Sequence, residues 1–116
     1  MSQPKPYFAP IYLVLVLDIV LPANKVGAHV GDQLFRSGTS VGSHLQEARA
    51  AESRADFIHK MQMALKKMRE AKFWLSLIVS AEIIPTELVS GIFQESDELV
   101  AILTRSVITI KTKSHE

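Results

Sequence analysis

The sequence predicts an all-α domain built as an antiparallel up-and-down four-helix bundle. Three observations carry this. Across residues 53–82, Phe57, Met61, Ala64, Met68, Ala71, Leu75 and Ile78 recur at alternating steps of four and three, with Ile58, Leu65 and Val79 beside them, so one face of a long helix is apolar. Two further helical periods flank this stretch with only short connections between them, and short connections between long helices favour antiparallel neighbours. Glycine and proline number only five each, most of them near the amino end, which leaves little turn chemistry for a β-sheet. At 116 residues the chain is one domain, large enough to bury a core.

Taken in order, residues 1–10 are polar and punctuated by Pro4, Pro6 and Pro10, and read as a loose lead-in. Residues 11–21, IYLVLVLDIVL, form the most hydrophobic run. Three readings stay open. A buried strand suits its β-branched content but lacks a visible partner strand. A signal-peptide core suits its position, yet Asp18 interrupts the run and no clean small-x-small cleavage site follows. A buried first helix is the reading adopted. The run is too short to cross a membrane, which takes about 20 apolar residues.

Residues 22–28 are the first connection. A second helical period runs over about residues 29–51 through Val30, Leu34, Val41, Leu45 and Ala48. Its middle, RSGTSVGS, places Gly38 and Gly42 four apart, and each glycine costs a helix up to about 1 kcal/mol relative to alanine. Close helix packing at Gly38, Ser40 and Gly42 is the compensation expected, because small side chains let backbones approach. A phosphate loop is the functional competitor, but GTSVG lacks the GxxxxGK[ST] pattern and has no strand before it.

The central helix follows almost at once. Ser53 is placed to cap it, Asp56 three residues on supplies the acidic half of a capping box, and Pro85 closes the far end. About 30 residues at 1.5 Å rise give about 45 Å, a length that needs neighbours running alongside. The last pattern, Leu88, Ile92, Phe93, Leu99, Leu103, Val107 and Ile110, runs to the carboxyl end. Glu87, Glu95, Asp97 and Glu98 come early in it and Arg105, Lys111 and Lys113 late, as the helix dipole prefers.

The chemistry the chain excludes is clearer than the chemistry it offers. Without cysteine there is no disulfide, thiolate metal site or thiol catalysis, and a reducing cytoplasm is the default compartment. A net charge of +1 is far from the strongly basic balance of proteins whose overall charge drives nucleic-acid binding, so only a local patch would serve. The best such patch is a stripe on the central helix, Lys60, Lys66, Lys67, Arg69 and Lys72, which repetition in an oligomer would turn into a belt. The plainer reading is a solvated face laced by pairs such as Asp56 with Lys60 and Lys66 with Glu70. Arg36, Arg49 and Arg54 extend the patch or pair with Asp32, Glu47 and Glu52.

The stretches DQLFRSGTSVGSHLQEA at residues 32–48, SRADFIHKMQMALKKMREAKFWL at 53–75 and ESDELVAIL at 95–103 resemble the family of small bacterial four-helix-bundle proteins related to the 23S rRNA intervening-sequence protein. The resemblance implies an up-and-down four-helix bundle and, for several members, a ring of five identical subunits. It extends to the accessory protein of diversity-generating retroelements, a pentameric barrel that binds nucleic acid and a reverse transcriptase. No established enzyme is implied. The chain departs from the family pattern at His44, where an asparagine is usual, and at Lys67 and Met68, where a glutamate and an alanine are usual. Lys67 in place of an acid makes the central helix more basic.

No metal or cofactor is expected. Asp56-x-x-His59 and the reversed His44-x-x-Glu47 occur once each, whereas a dinuclear bundle site repeats Glu-x-x-His and adds inward carboxylates. No catalytic residue is expected either, since Ser40 near His44 has no acidic orienting group and no oxyanion hole. His44 reads instead as a packing or hydrogen-bonding residue. Phe73 and Trp74 would stack a base in a single-strand binder, but aromatics so placed more often fill an interface between helices or subunits. The function expected is therefore non-enzymatic: an oligomer, a pentamer on the family pattern, binding RNA or DNA backbone through the basic stripe. The alternative is a protein-interaction or scaffold ring with no nucleic-acid role.

Overall fold

A computed structural model describes residues 20–114. Three long helices organise them: α1 (Lys25–Arg49), α2 (Arg54–Ser80) and α3 (Ser90–Ser114), with a 3₁₀ turn over Thr86–Leu88 before the last. There is no strand among the described residues, so the all-α class holds. The expected first helix falls almost wholly outside them, and of that run only Val20, helical, and Leu21, buried, are described.

The start of α1 lies a turn earlier than its apolar period suggests. The Asn24 side chain accepts a hydrogen bond from the Gly27 amide at 2.8 Å, a side-chain cap that satisfies one of the four amides left over at any helix start. Val30, Leu34, Val41 and Ala48 are buried as expected, and Leu45 packs against the same core. The helix continues unbroken through RSGTSVGS. There Ser37, Thr39 and Ser40 each turn their hydroxyls back onto the carbonyl four residues earlier, at 2.7–2.8 Å, so the polar side chains are satisfied within their own helix.

Both ends of α2 are marked by local chemistry. Ser53 Oγ accepts from the Asp56 amide at 3.0 Å while the Asp56 carboxylate accepts from the Glu52 amide at 3.3 Å, which is the capping box expected, shifted by one residue on its return arm. At the other end the chain stops before Pro85 is reached. Ile83 N–H donates to Ile78 O and Glu82 N–H to Val79 O, at 3.1 and 3.2 Å, with Glu82 left-handed at φ 51°. This is a Schellman ending, with a glutamate where glycine is usual.

Ala64, Leu65, Met68, Ala71, Leu75 and Ile78 form the buried seam of α2. The helix packs on α1 along one flank and on α3 along the other, while α1 and α3 form no extended contact with each other. On α3 the apolar register differs by one residue at its start: Leu88 is exposed on the 3₁₀ turn and Val89 is fully buried instead. From there Ile92, Ser96, Leu99, Leu103 and Val107 continue the buried face. Ser96, with no exposure, meets its need for an acceptor at Phe93 O, 2.6 Å away.

Candidate interaction surface

The five cations of the expected basic stripe divide into two sets. Lys60 reaches across to α1, where its Nζ lies 3.1 Å from Glu47 Oε2, rather than pairing along its own helix with Asp56. Glu47 holds the Lys60 ammonium above its ordinary pKa of 10.5, chiefly by this hydrogen bond, with Asp56 adding a smaller push in the same direction. Lys67 pairs with Glu70 at 3.5 Å, taking the partner that helical spacing had offered to Lys66. Lys72 pairs with Asp97 of α3. Those three are therefore neutralised locally, two of them as ties between helices.

Lys66 and Arg69 form the other set. Both are exposed, and neither has an ion pair among the described residues. Helical spacing puts them on one face with Phe73 and Leu77, at steps of three, four and four, on the side of α2 away from its buried seam. Phe73 is 56% exposed and Leu77 36%. The outer face of α2 thus begins as two free cations and continues as two exposed apolar side chains. Phe73 was a candidate interface residue in the sequence; Leu77 was not. Its signal was its place four residues after Phe73 and off the buried seam.

Trp74, paired with Phe73 in the sequence reading, behaves differently. It is half-buried, with its ring edge-on to His29 of α1 at 5.7 Å and to Phe73 at 5.0 Å. Its indole Nε1 is buried and finds no acceptor among the described residues. The Trp74 and His29 rings, together with Val26, Val30 and Leu77, line a shallow apolar notch between α1 and α2.

The small-residue segment lies within the α1 packing face: Gly38 is buried, and Ser40 and Gly42 are half-buried. His44 lies close by with its Nδ1 buried, 3.9 Å from Glu47 Oε2 and without a hydrogen bond among the described residues. Ser40 Oγ donates to Arg36 O at 2.7 Å, so its proton is engaged with the backbone. His59 is exposed, and no group of three or more metal-ligating side chains converges among the described residues. No described helix is long and apolar enough to cross a membrane.

These features define an all-helical protein whose most distinctive surface is a mixed cationic and apolar helix face. Residues 17–105 match the family model of the 23S rRNA-intervening sequence protein, and the chain belongs to that family. Among solved structures it is similar to a protein of unknown function from the S23 ribosomal protein family of Bacteroides thetaiotaomicron VPI-5482. The two are 30% identical, the match covers 85% of this chain and 98% of that one, and the TM-score is 0.63. No curated protein matches the chain.

Proposed function

We propose that this chain is a non-enzymatic, oligomeric scaffold protein of the cytoplasm, folded as an antiparallel four-helix bundle in which residues 11–21 supply the first helix. The bundle reading is supported by the arrangement of α1 and α3, which both pack on α2 and form no extended contact with each other among the described residues. A ring of five copies is the assembly that the family resemblance suggests.

One observation carries the scaffold role. The outer face of α2 joins free Lys66 and Arg69 to exposed Phe73 and Leu77, while Lys60, Lys67 and Lys72 are already matched by carboxylates of the same chain. A phosphate belt needs its cations unspent, whereas a protein surface uses apolar side chains ringed by a few charges. Nucleic-acid binding is the second reading. It draws on Lys66 and Arg69 as free cations and on a family description that contains an rRNA.

Light scattering on the full chain at micromolar concentration, with binding to mixed RNA and DNA at low and moderate salt, separates the two. The scaffold reading expects an oligomer with weak, salt-labile nucleic-acid binding. Tight binding that survives moderate salt and disappears in a Lys66→Glu, Arg69→Glu variant would replace it with the second reading.

A further inference from the structure

We propose that the outer face of α2 docks, antiparallel, on the outer face of α3 of a second copy of this chain. This rests on the oligomeric reading above and names the two surfaces that meet.

The α2 face offers Lys66, Arg69, Phe73 and Leu77, all exposed. The α3 face and the turn before it offer Glu98, Glu95, Gly91 and Leu88, also all exposed. Glu95 and Glu98 have no ion pair among the described residues, just as Lys66 and Arg69 have none. Among the described residues Lys66 and Arg69 are thus unmatched cations on one helix and Glu95 and Glu98 unmatched anions on another, each pair three residues apart.

The spacing fixes a register. In an antiparallel pair, a step up one helix is a step down the other. With Lys66 opposite Glu98, Arg69 falls opposite Glu95, Phe73 opposite Gly91, and Leu77 at the level of Leu88. Opposite charges meet at two successive levels, and apolar side chains meet beyond them. Gly91 matters here because a Cβ built on it meets no atom within 4 Å, so the helix surface there is open and bare. A phenyl ring can lie directly on that backbone, as small residues allow wherever helices approach closely. Leu88, 52% exposed on its 3₁₀ turn, then gains a partner in Leu77.

The orientation is compatible with closed assembly. Within one chain α2 and α3 are successive helices joined by a short turn and tied by Lys72 and Asp97, so they already run antiparallel. Copies related by rotation about an axis along the bundle keep that relation between α2 of one and α3 of the next. Because the two surfaces are different, the contact is heterologous, and it closes into a ring when the rotation divides a full turn. A nucleic acid on the α2 face would match Lys66 and Arg69 but would leave Glu95 and Glu98 unmatched, which is why a second copy is the occupant favoured.

The test is sedimentation velocity on the full chain at tens of micromolar, with Arg69→Glu, Glu95→Arg, the double variant, and Gly91→Trp. The wild type should sediment as an oligomer. Either single reversal should weaken assembly by about tenfold or more, since like charges then face each other, and the double variant should restore it. Gly91→Trp should dissociate the oligomer while far-UV circular dichroism stays native, because the site is empty within the chain. A wild-type oligomer indifferent to all four changes would overturn this interface and leave the oligomeric reading standing. A wild-type monomer would end both. A monomer that binds mixed RNA in a manner dependent on Lys66 and Arg69 would assign the α2 face to nucleic acid instead.

Discussion

Lys60 Nζ on α2 lies 3.1 Å from Glu47 Oε2 on α1, and the same oxygen lies 3.9 Å from His44 Nδ1. One carboxylate near the end of α1 therefore faces a lysine from the neighbouring helix and an imidazole from its own. The lysine takes the close approach, leaving the imidazole nitrogen buried without a hydrogen bond among the described residues.

The Lys60 contact has a defined pH range. Its ammonium is held above 10.5 in the folded chain, so the contribution is complete below that value and is lost as pH rises through the higher folded pKa. The stability gap between wild type and Lys60→Met should hold constant from pH 7 to 9 and close in strongly alkaline buffer. Thermal unfolding across that range measures it. A gap that closes instead near neutrality would mean that the Lys60–Glu47 pair is not what sets it.

Glu82 sits left-handed at the Schellman ending of α2, with φ 51°. That conformation costs a non-glycine residue about 1 to 2 kcal/mol. Glycine recovers this cost but loses about 0.4 to 1 kcal/mol through its freer unfolded chain. Glu82→Gly should therefore stabilise the domain by up to about 1.5 kcal/mol, the net of those two effects, in urea unfolding. A destabilised variant would mean that the glutamate side chain itself contributes there.

Gly38 is buried within the packing face of α1. Helix propensity alone favours replacing it, by up to about 1 kcal/mol. Overpacking opposes the change by about 1 to 3 kcal/mol, and the second effect is the larger. Gly38→Leu should accordingly lower the melting temperature. A rise would show that the α1 surface at this point has room to spare.

The helices were legible because their apolar periods are long, and the α2 seam from Ala64 to Ile78 is buried as its spacing requires. Ser53 and Asp56 were legible as a cap because their chemistry is local. The α1 start was placed late because its cap, Asn24, stands six residues ahead of Val30, the first apolar position of the period, with Gly27 between them. The end of α2 was read from Pro85, although the chain turns earlier through a left-handed glutamate that no composition rule favours. Leu88 and Val89 are adjacent apolar residues, and only the 3₁₀ turn decides which of them faces inward. The ion pairs were the least legible. Lys60 and Lys72 choose carboxylates on other helices, and sequence spacing along one helix carries no information about those distances.

The middle position of α2 also sets how the molecule can come apart. Among the described residues α1 and α3 lean on α2 and not extensively on each other, so on that packing alone either outer helix can detach while the other keeps its contact. α2 cannot leave without dissolving both contacts. Its amides are consequently exchangeable with solvent only through the costliest openings, whereas those of α1 and α3 have cheaper, independent routes. A single helix thus determines the height of the ladder of partly open states, and stabilising an outer helix alone raises only its own rung.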